Sequence, residues 1–599
     1  VLNEPPGGGT SVADRGSDKA LVLEGVGKSF TVDAHRVVAL DGISLDARKG
    51  VVTGLIGPDG AGKTTLMRLA TGLLTVDAGR IEVLGIDVVA EPLRVQASVG
   101  YMPQRFGLYE DLSVRENLDL YADLQGVHHA DRPERYRELM HMTGLGPFMS
   151  RLAGKLSGGM KQKLGLACTL VRAPSLLLLD EPTVGVDPVS RRELWSIVYR
   201  LVKDEAMSVL LSTAYLDEAE RCDEVALIHE GKLLGNAPPS EFSATMRGRT
   251  FTVSTAAVGK RELQERLSSA PEIIDAVIQA DHVRVVTAEP ARPDPAALLP
   301  GLNDVKIAPV PPRFEDRFVA ELRARQQPES TAATTEAPTP RADGDDPVIS
   351  VHDLERRFGD FIAVKRITFE VDRGEVFGLL GANGAGKSTT FRMLCGLLPA
   401  SGGRLTVGGV DLRTAAAAAR ARIGYMAQKF SLYQNLTVLQ NLSFFSGAYG
   451  LGGGRRRKRI QWALEEFDLS DIADTESGTL SLGYKQRLAL SCALMHEPDI
   501  LFLDEPTSGV DPLARRGFWH RINLLAQSGV TIMVTTHFME EAEYCDRLAI
   551  MSAGEILAIG TPADIKSGRR REGEAEPSME DAFIDLIESA EAKATGAAA

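Results

Sequence analysis

Short apolar runs recur twice along this chain, in the same order and at nearly the same spacing. Val51-Val52-Thr53-Gly54-Leu55-Ile56 and Val376-Phe377-Gly378-Leu379-Leu380 each read as a buried strand. Each leads through a glycine-rich loop into a helix-like stretch, residues 64–71 and 388–397. Farther on, the apolar runs at residues 176–179 and 500–503 each end in two acids, Asp180-Glu181 and Asp504-Glu505. Repeated strand–loop–helix units predict an α/β chain built twice on one plan.

Between the repeats the periodicity changes. Thr250-Phe251-Thr252-Val253 alternates, residues 260–267 look helical, and Val283-Arg284-Val285-Val286 alternates again. This predicts a small α/β appendage. It closes with Arg313-Phe314-Glu315-Asp316-Arg317-Phe318, and Met579-Glu580-Asp581-Ala582-Phe583 echoes that ending, so both repeats are expected to share a terminal helix. Residues 1–20 read as a disordered tail, and residues 593–599 are expected to fray. Residues 326–346, rich in Pro, Thr, Ala and acids, read as a linker. Fully extended it would span ~60–70 Å, so it does not keep the two halves apart.

Composition narrows the class. A chain of 599 residues exceeds one core. A net charge of −14 and a pI of about 5.4 do not suggest a nucleic-acid partner. No run approaches the ~18–20 apolar residues that cross a bilayer, and no signal peptide is read at the Gly- and Pro-rich start. The five cysteines form no C-x-x-C pair, and Cys168 and Cys222 match Cys492 and Cys545 by repeat position. Small core residues in a reducing compartment are the plain reading for all five, Cys395 included.

The loops carry the chemistry. Gly57-Pro58-Asp59-Gly60-Ala61-Gly62-Lys63-Thr64 and Gly381-Ala382-Asn383-Gly384-Ala385-Gly386-Lys387-Ser388 both fit G-x-x-x-x-G-K-[ST], 324 positions apart. Glycines let backbone N–H groups turn inward around phosphates, and the helix N-terminus adds partial positive charge. Lys63 and Lys387 are expected to reach the phosphates. Thr64 and Ser388 are expected to ligate Mg²⁺, with Thr65 and Thr389 beside them. Asp180 and Asp504, at the ends of their strands, are expected to hold the hydrated Mg²⁺, and Glu181 and Glu505 to polarise water.

Between loop and acids stand Leu156-Ser157-Gly158-Gly159-Met160-Lys161-Gln162 and Leu480-Ser481-Leu482-Gly483-Tyr484-Lys485-Gln486. These resemble the signature of ABC transporter nucleotide-binding domains. Gln104 and Gln428 are similar to the family's Q-loop glutamine, Asp187 and Asp511 to its D-loop aspartate, and His537 to its switch histidine. The resemblance covers nearly the whole chain except tails, linker and appendage. It implies two P-loop NTPase (RecA-like) domains, each with an antiparallel β subdomain and a helical signature subdomain. The expected division is a first nucleotide-binding domain at 21–245, the appendage and terminal helix at 246–325, a second domain at 347–570, and a C-terminal helix and tail at 571–599. Ser157 and Ser481 can cap a helix while facing an anion. In the family that anion is the γ-phosphate of ATP held by the opposite domain, so ATP and Mg²⁺ are the implied cofactors and ATP hydrolysis the implied activity. The Q-loop glutamines join the expected Mg²⁺ set. Phe30 and Phe358 sit where the family stacks an aromatic on adenine, a core Phe being the alternative.

The two composite sites differ. The one with Lys63, Gln104, Asp180 and Glu181 faces Ser481-Leu482-Gly483. There Asp59 stands in place of Asn383, Leu482 replaces a signature Gly, and Ala214 aligns with His537 after a one-residue gap. The other, with Lys387, Gln428, Asp504, Glu505 and His537, faces Ser157-Gly158-Gly159 and keeps every expected group. One active and one degenerate site is the expectation, with turnover at both as the alternative because Glu181 is retained.

The layout resembles the ATP-binding subunits of multidrug-type exporters. It implies ABC-2-type permease subunits as partners, a periplasmic adaptor as a further candidate, and a peripheral place at the cytoplasmic face of the inner membrane. Residues 111–118 and 435–442 are expected to flank the permease groove. Arg455-Arg456-Arg457-Lys458-Arg459 reads as a solvated face, with anionic lipid contact as the sharper reading. Two rival readings are a soluble ABC ATPase of the ribosome and the tandem ATPase of a sugar importer. The first would need a basic inter-motor segment, and 326–346 is acidic.

Overall fold

The computed structural model describes residues 18–32, 35–104, 107–325, 347–569 and 577–596. Most of the expected tail, the whole expected linker and the last three residues lie outside these. Two compact units emerge. The first comprises the described residues up to Leu156, then Lys161–Pro182 and Leu194–Pro239. The second takes in Ser157–Met160, Thr183–Glu193 and the described residues from Ser240 onward.

In the first unit a six-stranded sheet runs in the order Lys232–Ala237, Glu224–His229, Val52–Ile56, Ser208–Thr213, Leu176–Asp180, Val99–Met102. Every pairing but the first is parallel. Val52–Ile56, Leu176–Asp180 and Ser208–Thr213 are buried along their whole length. Interior strands of a parallel sheet are covered on both faces, which is why these segments are nearly continuous in apolar residues. A second, antiparallel sheet orders His35–Arg48, Lys19–Val32, Ala78–Val83, Ile86–Asp87.

The second unit repeats this plan. Its larger sheet orders Ile423–Met426, Ile500–Asp504, Thr531–Thr536, Val376–Gly381, Arg547–Ser552, Glu555–Gly560, and its smaller one Phe361–Val371, Ile349–Phe358, Gly402–Val407, Val410–Asp411. It also holds a third sheet, fully antiparallel, ordered Ile273–Gln279, His282–Thr287, Thr250–Ser254, Lys306–Pro309. Helix Lys260–Ser268 lies on it, with Leu263 and Leu267 in the same buried cluster as Val253, Ile278 and Val283. Helix Phe314–Arg325 is tied to the sheet by a buried ion pair, Arg284 Nη2 to Asp316 Oδ2 at 2.7 Å.

All five cysteines are buried. Among the described residues no helix is long and apolar enough to cross a membrane. The basic run lies on helix Gly453–Glu466, and three of its five cations have protein partners instead of forming a plain solvated face. Arg455 pairs with Glu497 at 2.6 Å, Arg456 donates to Ser443 O and Ser446 Oγ, and Arg459 donates to Leu494 O and Met495 O. The last two carbonyls close the signature helix Leu482–Ala493, so the run staples one helix to another. Arg457 and Lys458 are exposed.

Candidate nucleotide sites

Each P-loop turns between the end of a central strand and a helix, at the C-terminal edge of the sheet where α/β folds bind ligands. Gly62 and Gly386, the helix N-caps, both have φ of 104°. A Cβ there would meet Ala39 O at 2.5 Å or Ala363 O at 2.7 Å, so both conformation and space require glycine. Gly57 and Gly381 close the strands, while Gly60 and Gly384 turn the loops at φ of 79° and 85°. Lys63 Nζ donates to Gly57 O at 2.8 Å and to Pro58 O at 3.1 Å, and Lys387 Nζ to Gly381 O at 2.7 Å and to Ala382 O at 3.1 Å. Thr64, Thr65, Ser388 and Thr389 lie in the first turns of the helices that follow.

In the first site the acids converge on the loop. Thr64 Oγ1 donates to Asp180 Oδ1 at 3.1 Å, and Gln104 Nε2 donates to Glu181 Oε2 at 2.6 Å. Lys63 Nζ lies 3.2 Å from Glu181 Oε1, and both side chains are buried. The Glu181 backbone has φ of 49° and that of Glu505 φ of 48°. A non-glycine residue in this region costs of order 1–3 kcal/mol, and both repeats keep it at the acid that follows the strand.

The second site arranges the same acids differently. Gln428 Nε2 donates to Glu505 Oε2 at 2.8 Å, and His537 Nδ1 lies 3.2 Å from that oxygen, with His537 and Glu505 both buried. Although Nδ1 lies within ion-pair distance of Glu505, neither buried ring nitrogen of His537 makes a hydrogen bond among the described residues. Burial acts to raise the Glu505 carboxyl. The close approach and charge of His537, then Lys387 and Gln428, hold it below the usual glutamate range. Burial pushes Lys387 down against the pull of Glu505, Asp187 and Asp504, and it pushes Asp504 up, with the Glu505 charge adding to it. Asn383 Nδ2 donates to Gly185 O at 3.2 Å, and a Cβ on Gly158 would sit 3.5 Å from the same Asn383 amide. Ser157-Gly158-Gly159 and the Asp187 turn thus share a compact unit with the Lys387 loop.

Two hydroxyls that the motifs do not include register the sites. Ser212 Oγ donates to Asp180 Oδ1 at 2.7 Å and accepts from Glu181 N at 2.9 Å. Thr535 Oγ1 makes the same pair of contacts, at 2.6 Å to Asp504 Oδ1 and 2.9 Å from Glu505 N. With Ser212 matched to Thr535, Ala214 falls on His537. The signal was a hydroxyl at one position of the adjacent strand in both repeats.

Other predicted residues have local structural roles in view. Asp187 caps helix Pro188–Glu205, accepting from Ser190 N and Oγ at 3.1 Å. Asp511 caps Pro512–Gln527 through Leu513 N and Ala514 N. Ser157 Oγ accepts from Met160 N at 3.3 Å, whereas Ser481, at the N-cap of its helix, makes no side-chain cap bond. Gly483 lies in that helix's first turn, behind the half-buried Leu482. Phe30 and Phe358 are 37% and 47% exposed, so neither is a core residue. Lys28 and Arg356 lie over their rings.

Two phosphate loops, each with a carboxylate pair beyond the adjoining strands, make the chain a tandem P-loop NTPase. Residues 40–184 and 364–508 each match the ABC transporter family. The chain is 51% identical over 578 residues to a probable multidrug ABC transporter ATP-binding protein, YbhF, of Escherichia coli (strain K12), covering 95% of this chain and 98% of that one. It is 41% identical over 221 residues to the linearmycin resistance ATP-binding protein LnrL of Bacillus subtilis (strain 168), covering 37% of this chain and 71% of that one. A solved ATP binding subunit of an ABC transporter aligns at 32% identity over 40% of this chain and 99% of its own, with a TM-score of 0.37. The chain belongs to the ATP-binding proteins of ABC transporters, carries two such domains and is an ATPase.

Proposed function

We propose that this chain is the motor of an exporter, coupling ATP hydrolysis to separate ABC-2-type permease subunits that move drugs or other amphipathic compounds. It works at the cytoplasmic face of the inner membrane, reaching the bilayer through the permease, with a periplasmic adaptor as a further partner. The 51% identity to a probable multidrug ABC transporter ATP-binding protein supports the class of cargo. ATP closes the two domains on each other, because it binds the closed state far more tightly than the open one.

The two sites divide the work. In the second, Glu505 is the base that positions and deprotonates the attacking water, Lys387 neutralises the phosphates, and His537 holds the Glu505 carboxylate and faces the γ-phosphate. Ser157, Gly158 and Gly159 complete this site, with Gly381, Asn383, Gly384 and Gly386 wrapping the phosphates, Phe358 stacking on adenine, and Asp187 and Asp511 fixing the adjoining turns. The first site, with Gly57, Gly60, Gly62, Lys63, Thr65, Phe30, Ser481 and Gly483, binds ATP and turns over slowly. The observation that carries this reading is the pairing of the base: Glu505 with His537, but Glu181 with Lys63.

Thr64, Gln104 and Asp180, and their counterparts Ser388, Gln428 and Asp504, supply the hard oxygen donors that Mg²⁺ takes. The 3.1 Å approach of Thr64 Oγ1 to Asp180 Oδ1 fits such a set. Bound there, Mg²⁺ would neutralise phosphate charge.

The test is nucleotide content after turnover. Protein acid-quenched under steady-state hydrolysis is expected to release one ATP, from the first site, for each ADP. Release of ADP alone from both sites would refute the division of labour.

A further inference from the structure

The sheet and helix that follow the first domain in sequence pack against the helix Pro512–Gln527, in the second unit. Leu263, Leu267 and Ile278 of the appendage share one buried cluster with Phe518, Trp519 and Ile522 of that helix and with Tyr544 and Cys545. Polar contacts fix the fit. Asn523 Nδ2 donates to Gln264 Oε1 at 2.9 Å, and Lys260 Nζ donates to Cys545 O at 2.7 Å and Glu543 O at 3.2 Å. Arg261 pairs with Asp546, and Ala280 N donates to Glu543 Oε2 at 2.8 Å. Arg516 is held by two appendage carboxylates, Asp275 and Glu315.

Both gripped segments follow within a few residues of the second site's base and histidine. The helix is capped by Asp511, directly after Ser508-Gly509-Val510, and Arg516 lies just over one turn into it. The segment Glu543–Asp546 follows His537 by a few residues. The two meet at the buried Glu541, which accepts from Thr536 Oγ1 at 2.5 Å and from Thr507 Oγ1, and which has Arg515 Nε at 3.9 Å. Thr536 precedes His537, and Thr507 follows Glu505 by two residues. Through Glu541 the two segments are thus linked to the residues that flank the base and its histidine.

The terminal helix Met579–Gly596 offers a comparison in the same unit. Its Glu580, matching Glu315 in the repeated ending, pairs with Arg191 at 2.8 Å, on the helix that Asp187 caps. A glutamate–arginine pair thus recurs at both capped helices, and the four-stranded sheet is added at the one beside His537.

We infer that the appendage is a brace that positions the second ATP site, with Asp275, Glu315 and Lys260 as positioning residues acting through Arg516 and the turn behind His537. The inference rests on the reading that the second site carries the turnover. Removing one of the two carboxylates that hold the buried Arg516 weakens the compensation of its charge and loosens the grip on the helix. Misplacement of a reacting group by about 1 Å is enough to slow chemistry severely.

Steady-state ATPase of the full chain tests this, with Asp275→Asn, Asp275→Glu and Lys260→Ala each made in the native, Glu181→Gln and Glu505→Gln backgrounds. Asp275→Asn and Lys260→Ala are expected to lower kcat about fivefold or more in the native and Glu181→Gln chains, with KM for ATP changed by less than about twofold. Asp275→Glu is expected to recover most of the rate, and the residual rate of Glu505→Gln is expected to be insensitive to all three. Should Asp275→Asn fail to fold, Lys260→Ala and Gln264→Ala decide. Variants that melt earlier yet keep kcat within about twofold below melting would overturn the brace and leave packing alone. Equal losses from Glu505→Gln and Glu181→Gln would instead refute the unequal sites, and the brace would still be judged in the Glu181→Gln chain.

Discussion

His537 Nδ1 lies 3.2 Å from Glu505 Oε2, yet neither of its buried ring nitrogens completes a hydrogen bond among the described residues. A buried imidazole nitrogen left open is expensive unless something outside the protein fills its valence. The γ-phosphate of ATP is the group proposed to fill it. His537→Ala is expected to lower kcat by about 10²-fold, the scale of a lost positioning contact at a general base. KM for ATP is expected to change little, because Lys387 and its loop are untouched. A kcat within a few-fold of the native value would contradict the role.

Phe358 presents nearly half its surface, with the Arg356 guanidinium 4.5 Å from its ring centroid. Phe358→Ala is expected to weaken ATP binding by about 0.5–1.5 kcal/mol, roughly two- to tenfold in Kd. Phe358→Trp is expected to retain it. Nucleotide titrations in a Lys63→Ala background isolate the second site, and an unchanged Kd in Phe358→Ala would return this side chain to a structural role.

The buried Lys387 is pushed below the ordinary lysine value by desolvation. It therefore gives up its proton at a lower pH than an ordinary lysine, and the penalty its charge places on folding is greatest at low pH and relieved as pH rises through its folded value. The triphosphate favours the charged form, so binding is coupled to its protonation once pH exceeds the folded value. Affinity at the second site is expected to decline on the alkaline side from a pH below the usual lysine range. Lys387→Arg is expected to flatten that limb. Nucleotide Kd measured across pH, again in Lys63→Ala protein, checks this, and constant affinity up to the ordinary lysine range would contradict it.

The loops, the acids and the missing histidine were legible because their chemistry sits in short, glycine-punctuated strings that repeat. Even the gap at Ala214 resolves once Ser212 is matched to Thr535 by its bond to the strand-end carboxylate. The seat of the appendage was not legible. Asp275 and Glu315 look in sequence like ordinary surface acids, and Arg516 lies far downstream, so their ion pairs exist only through tertiary packing. The basic run misled in the same way. Periodicity cannot tell a solvated arginine from one that reaches two backbone carbonyls on a neighbouring helix.

That last distinction is measurable. Arg459 donates to Leu494 O and Met495 O and lies 3.7 Å from the Trp462 ring. Arg459→Ala is expected to lower stability by about 1–3 kcal/mol. Arg457→Ala, at an exposed position, is expected to stay within about 0.5 kcal/mol of native. Denaturant unfolding of both variants checks the pair, and equal stabilities would restore the solvated-face reading.

The central claim is that hydrolysis is unequal between two sites built on loops of one motif. Steady-state ATPase of Glu505→Gln and Glu181→Gln, each assayed with the permease present, tests it most directly. Glu505→Gln is expected to lower the rate by about 10²-fold or more, and Glu181→Gln by less than about tenfold. Equal losses from the two substitutions would contradict the claim.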